Sequence, residues 1–345
     1  MAELISESIK GHDWIQNQIY QALKSKRLPH ALLFSGPSGV GKRQMAWTLA
    51  QSLLCAQTSF GADSDNFELM LDTQIKESYK PCGQCFSCSN VLKRESENVL
   101  CITYETLQIR LQDLKKIQAF LSLQSFAKAK VVLIDSAEKL NPQASNFLLK
   151  IIEEPPPQSF FFLISSNPSK ISLTIRSRLQ NIRFSALPDS LISEISHQGT
   201  EEWMIRGARG RLDLLAELKD QQELRALAFD LFFDMFENIS SVYKVDFSQK
   251  IKNRKHALSL VGFWQQFLRD IRLLKIGSEE VIHGDKIKKL EKLSYFSTSL
   301  LDFWLKKALE MEKELSSNFD STLCFENFMV IVKQSLKEEV YTESV

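Results

Sequence analysis

Stretches of this chain such as Val131-Val132-Leu133-Ile134 and Phe160-Phe161-Phe162-Leu163-Ile164 are apolar without interruption. A strand with one wet face alternates polar and apolar residues. A strand covered on both faces does not, and parallel sheets are built from the second kind. Such runs recur at residues 30–35, 99–104, 130–135, 160–165 and 180–185, with helical spacing between them. Asn141-Pro142 reads as an N-cap followed by proline at the first helical position. Ala144, Phe147, Leu148 and Ile151 then share one face until Pro155-Pro156-Pro157 ends the helix. This alternation predicts an α/β domain with a five-stranded parallel sheet over residues 1–186.

Beyond Leu187-Pro188 the strand-like runs cease. Residues 187–221 read as a small helical unit turning around Gly207 and Gly210. Residues 222–345 read as an all-helical domain, with Leu231, Phe232, Phe233, Trp264, Phe267 and Trp304 at core-forming helical spacings. Residues 56–80 are polar and aperiodic, the mark of a long loop or insertion. With 43 basic against 42 acidic residues, no global field draws the chain to nucleic acid or membrane. No apolar run is long enough to span a bilayer, and Glu3 and Glu7 do not suit a secretory signal. A cytoplasmic, reducing setting is therefore expected, where six cysteines read as metal ligands or core thiols before disulfides.

Gly36-Pro37-Ser38-Gly39-Val40-Gly41-Lys42-Arg43 follows an apolar strand and precedes a helical pattern carried by Met45, Leu49 and Leu53. That context makes it a phosphate loop: Gly36, Gly39 and Gly41 turn backbone N–H groups towards phosphate oxygens, and Lys42 reaches the β/γ-phosphates. The next position normally supplies a hydroxyl to Mg²⁺, but Arg43 has no acceptor atom. Asp135 ends the third strand, where such folds place a carboxylate for the metal, and it is followed by Ser136 rather than an acid able to polarise water. Glu138 comes two residues later. The loop can seat ATP or ADP, while Mg²⁺ coordination and hydrolysis by this chain are disfavoured.

Cys82, Cys85 and Cys88 stand at x₂ spacings behind Pro81, a pattern suited to one tetrahedral Zn²⁺ with a fourth ligand from elsewhere. Cys55, at the end of the helix after the phosphate loop, is the preferred fourth ligand; Cys101 and Cys324 read as core thiols. A site closed by four cysteines is structural. In Thr174-Ile175-Arg176-Ser177-Arg178, two arginines at alternate positions of an extended segment point the same way. Spacing alone favours a surface pair meeting acids of the same domain. The five histidines are scattered and form no nucleophile system with Ser or Cys.

The order of Leu28-Pro29-His30-Ala31-Leu32-Leu33-Phe34-Ser35-Gly36, the four cysteines, Asn146 to Pro156 and Thr174 to Arg178 resembles the clamp-loader subunits of bacterial DNA polymerase III, which are AAA+ proteins. The likeness covers the first ~210 residues and is nearer the delta-prime branch than the gamma/tau motors. It implies an AAA+ domain over residues 1–186, a helical lid over 187–221 and a helical collar over 222–345. It also implies a hetero-oligomeric ring with gamma/tau and delta subunits that places a sliding clamp on primed DNA. Within that resemblance Arg178 becomes an arginine finger acting on a neighbour's ATP, although Leu179 stands where the motif has cysteine. Ser165 falls at the first sensor and Arg211 near the second, and Cys55, Cys82, Cys85 and Cys88 take the zinc positions. Alternatives are an active gamma-like ATPase, a P-loop phosphotransferase with a zinc-stabilised insertion, and a zinc-binding interaction module.

Overall fold

A computed structural model describes residues 4–6, 9–60, 78–103, 108–123, 127–196, 199–237 and 247–342. Most of the predicted 56–80 insertion, residues 61–77, lies outside the described residues, as does Tyr104 of the second predicted strand. The chain divides into two compact units, Met1–Ile195 with Gly210–Asp213, and Ser196–Arg209 with Leu214–Val345. The segment 187–221 is thus shared between the two units.

The first unit carries β1 (Ala31–Ser35), β2 (Val99–Ile102), β3 (Lys130–Ile134), β4 (Ser159–Ser165) and β5 (Gln180–Arg183). All pairings are parallel, in the order β2-β3-β4-β1-β5, with Leu33 opposite Leu163 on one side and Asn181 on the other. The five expected strands are all present. Their uninterrupted apolar character has the expected cause, because β4 is buried along its whole length and each face of the sheet has its own core.

The helices of this unit are α1 (Asp13–Lys24), α2 (Lys42–Leu54), α3 (Phe86–Lys93), α4 (Leu111–Ser122), α5 (Pro142–Glu153), α6 (Leu173–Arg176) and α7 (Asp189–Ile195). Phe34, Phe160, Phe162 and Ile164 pack on one face with Ile15 and Ile19 of α1 and Met45, Leu49 and Leu53 of α2. Leu33, Val132, Phe161 and Leu163 pack on the other with Leu114 and Ile117 of α4 and Leu148 and Ile152 of α5. Consecutive strand residues therefore feed opposite cores, as period-2 geometry requires. Helix α5 starts as anticipated, with Asn141 Oδ1 accepting from Ala144 N at 2.8 Å. Its fully buried stripe runs Ala144, Leu148, Ile152 rather than through Phe147 and Ile151, which flank it half-buried.

The second unit is helical throughout its described residues: α8 (Glu202–Ala208), α9 (Leu212–Lys219), α10 (Gln222–Glu237), α11 (Phe247–Lys250), α12 (Arg254–Lys275), α13 (Ile287–Glu291), α14 (Thr298–Ser316) and α15 (Ser321–Thr342). The first two residues of α9 count with the other unit. All six anticipated core residues, from Leu231 to Trp304, are buried. The indole of Trp264 donates to Ala228 O at 2.9 Å and that of Trp304 to Ser335 Oγ at 2.8 Å, so the large rings are buried without orphaning their N–H groups. One buried knot is polar. Both Asp270 carboxylate oxygens accept from Ile282 N, and Oδ2 also accepts from His283 N at 2.8 Å. The His283 ring lies edge-on to Phe267 at 4.7 Å, and its Nδ1 accepts from Arg225 Nε at 3.1 Å. Arg225 also stacks over Trp203 at 4.2 Å and pairs with Asp285 at 2.5 Å.

Candidate functional site

Between β1 and α2 the chain wraps the phosphate loop, with Gly36, Gly39 and Gly41 all at positive φ. Gly36 has a second reason to be glycine: an added Cβ would lie 2.3 Å from Phe184 O, where the chain leaving β5 crosses the loop. Lys42 is buried and donates to Gly36 O at 2.7 Å and to Pro37 O, bracing the loop from within. Burial pushes its ammonium pKa down, against the opposing pull of Glu138, Asp135 and Asp213. A cavity of about 540 Å³ opens beside the loop, lined by residues including Gly39, Lys42, Arg43, Asp135, Ser166 and Asp213.

Arg43 and Asp135 meet directly in an ion pair between the first turn of α2 and the end of β3. Asp135 Oδ1 also accepts from Ser136 N at 2.9 Å. The cation that replaces the motif's hydroxyl is therefore partnered with the carboxylate that the motif would use for metal. Glu138 is turned elsewhere, accepting from Ser166 Oγ at 2.8 Å. Burial alone raises its pKa, but hydrogen bonds from its own backbone, Ser165 and Ser166 outweigh that and hold it low. A carboxylate so stabilised is a poor general base. Ser165 is buried at the end of β4, its hydroxyl accepting from Asn167 N at 3.1 Å, and the next residue, Ser166, lines the cavity. Arg211 grips Asp213 through Nε and Nη2, at 3.2 and 2.9 Å.

Arg176 and Arg178 do not lie on an extended segment. Leu173–Arg176 forms one helical turn, which breaks the two-residue periodicity and sends the side chains apart. Arg176 is half-buried, whereas Arg178 is exposed and pairs at 2.6 Å with Glu153, at the end of α5. Arg178 Nη1 also donates to Thr174 O at 3.1 Å.

The four nominated sulfur atoms converge, all within 4.8 Å of one another. Cys82 and Cys88 Sγ are 3.9 Å apart and Cys85 and Cys55 Sγ 4.0 Å apart. Four thiolates at ~2.3 Å from one tetrahedral ion are ~3.8 Å apart, so the donor set fits a closed zinc site. Backbone N–H groups of Cys82, Cys85 and Cys88 point at the sulfurs of Cys55, Cys82 and Cys85 at 3.3–3.4 Å. Burial raises the thiols of Cys55 and Cys88. For Cys85 the same burial effect is outweighed by N–H donation from Ala56 and Cys88 and by the neighbouring thiols, which bring it down to about 6. Lys128 Nζ donates to Cys55 O at 3.2 Å and Thr58 O at 2.7 Å, placing a cation beside the cluster. Cys101 and Cys324 stand outside it, as expected.

Two residues of this region had no signal in spacing. His12 follows Gly11 at the start of α1, and its Nε2 lies 3.0 Å from Val40 O, tying the phosphate loop to the N-terminal segment. Burial lowers its pKa, so the ring donates this bond as the neutral imidazole near neutral pH. Asp213 is the other: an acid two residues after Arg211 looks like ordinary first-turn decoration of a helix.

A family model described as DNA polymerase III, delta subunit matches residues 11–188, more than half of the chain. The chain is similar to DNA polymerase III subunit delta' of Bacillus subtilis (strain 168), 22% identical over 338 residues that cover 93% of this chain and 95% of that protein. It is also 27% identical to DNA polymerase III subunit tau of the same organism over 216 residues, covering 62% of this chain but 35% of that protein. Among solved structures, a gamma-subunit-related DNA polymerase III protein of Thermotoga maritima aligns at 14% identity over 92% of this chain and 99% of that one, with a TM-score of 0.46.

Proposed function

The chain belongs to the family described as DNA polymerase III, delta subunit, and from that premise we propose that it serves a clamp loader as its non-motor subunit. It assembles with gamma/tau and delta subunits in a cytoplasmic ring that loads a sliding clamp onto primed DNA. Residues 187–221 act as a lid and 222–345 as the collar that holds the ring together. Cys55, Cys82, Cys85 and Cys88 hold a structural Zn²⁺, and residues 36–43 form a seat for ATP or ADP that does not turn over.

The observation that carries the non-motor reading is the ion pair between Arg43 and Asp135. With Oδ2 paired to Arg43 and Oδ1 accepting from Ser136 N, the carboxylate is already engaged at both oxygens and its charge is neutralised by a cation other than the metal. A phosphoryl transfer with the metal weakened in this way loses its main charge stabiliser. Arg178, exposed and anchored by Glu153, is the group offered outward to a neighbouring subunit's ATP. In the reconstituted complex, Arg178→Ala should lower DNA-dependent ATP hydrolysis while assembly stays intact; unchanged turnover refutes the assignment. ATP hydrolysis by the isolated chain that disappears in Lys42→Ala would point instead to an active motor.

A further inference from the structure

Asp213 sits against the phosphate loop in a way that the loop's own motif does not require. A Cβ added to Gly39 would lie 1.9 Å from Asp213 Oδ1 and 2.9 Å from its backbone nitrogen, so only glycine at this point of the loop admits the carboxylate. Leu212 N donates to Gly39 O at 3.0 Å and fixes the segment in place. Arg211 holds both carboxylate oxygens in a fork, which sets the orientation of the acid. Asp213 shares the cavity wall with Lys42, Arg43 and Asp135, and its charge acts on Lys42. Across the cavity, Arg43 is joined to Asp135.

We propose that the phosphate loop is held shut by its own charges: Asp213 stands in for a phosphate, Arg43 stands in for the metal, and a nucleoside polyphosphate enters only when Asp213 is displaced. The balance of charge supports this. Lys42 and Arg43 share the cavity wall with Asp135 and Asp213, so an incoming polyanion meets a neutral set of groups rather than a cationic one. Each acid nearby already has a partner: Asp135 has Arg43, Asp213 has Arg211 and Glu138 has Ser166. Arg211 is also committed. Release of Asp213 from Gly39 and release of Arg211 towards a ligand are one event. The contact is autoinhibitory, and its ligand class is a nucleoside di- or triphosphate free of metal. This inference rests on reading residues 36–43 as a phosphate loop.

The test uses the full chain and a fluorescent ADP, with and without Mg²⁺. Wild type is compared with Asp213→Asn, Asp213→Ala and the double variant Lys42→Ala/Asp213→Asn, with thermal unfolding to confirm that each is folded. Asparagine is nearly isosteric, so it keeps the segment packed if alanine does not. Removing one like charge a few ångströms from a polyanion should tighten binding at least about tenfold. That gain should vanish in the double variant and be indifferent to Mg²⁺, because Arg43 still holds Asp135. Equal, measurable binding by wild type and both Asp213 variants overturns the gate and leaves the loop a nucleotide seat. No binding by any variant overturns the gate and the seat together. Neither result touches Arg178, whose test is made on the assembled complex.

Discussion

Acid should loosen the helical unit through one residue, His283. Its ring is fully buried, and Nδ1 can accept from Arg225 Nε only while that nitrogen carries no proton. Burial, reinforced by the Arg225 guanidinium, pushes the imidazole from 6.5 down to about 3; Asp285 pulls the other way, and Arg269 adds a smaller push downwards. The unfolded chain then binds a proton that the folded chain refuses. Stability from this group is complete above about pH 6.5 and is lost as pH falls towards about 3. Between about pH 7.5 and 5 the loss is about 2 kcal/mol, from 2.3RT times the proton difference. The native ring is still neutral at about pH 5, so the loss over this range comes from protonation of the unfolded chain. His283→Asn keeps an acceptor for Arg225 and abolishes the titration. Urea unfolding followed by tryptophan fluorescence, with Trp203, Trp264 and Trp304 as reporters, should show a pH dependence in the variant shallower by that amount. Carboxylate contributions such as that of Asp285 are common to both proteins and largely cancel. Parallel stability–pH curves for the two proteins would refute the reasoning.

Three further outcomes are expected. Purified protein should contain about one zinc per chain; Cys55→Ser should release it to a weaker chelator than wild type requires, and Cys101→Ser should not, as metal release followed by a colorimetric indicator will show. Glu153→Gln removes a half-exposed partner of Arg178, so stability should change by less than about 1 kcal/mol; in the reconstituted complex the kcat for ATP should change while the KM does not, and an unaltered kcat argues against Glu153 as a positioning residue. Gly36→Ala places a Cβ 2.3 Å from Phe184 O at a backbone φ of 140°; it should lower the stability of the first unit by at least about 1–3 kcal/mol, seen as a fall in Tm.

The sheet and the glycine-rich turn between β1 and α2 were readable because both are local. Burial on two faces erases alternation within a strand, and the glycines and lysine of the loop lie within eight residues between a strand and a helix. Cys82, Cys85 and Cys88 were readable because their spacing is itself the chemistry; Cys55, 27 positions earlier, came from its place at the end of the preceding helix and from the family likeness. What spacing could not deliver were contacts across the fold. Arg43 and Asp135 are 92 positions apart and meet because β1 and β3 both flank β4. Asp213 reaches Gly39 through a return of the chain that no local pattern encodes. The arginine segment misled for a different reason: a four-residue helical turn is too short to leave a periodicity, so alternate residues looked as though they shared a face. At the end of β4 the adjacent residues Ser165, turned into the protein, and Ser166, on the cavity wall, differ by a single step, and parity at a strand end is where pattern reading is weakest.

Helix α2 has eleven of its thirteen residues buried, a rod of about 20 Å with almost no freedom to slide or roll. Lys42 and Arg43 stand at one end, and Cys55 follows the other, where Gln51 also binds Cys88 O at 3.2 Å. The cysteine cluster is therefore the far anchor of the rod whose near end aims Arg43 at Asp135. If the cluster holds zinc as proposed, its loss would be felt at the loop as a change of aim, and a site with no part in chemistry would set how firmly the proposed nucleotide seat stays closed.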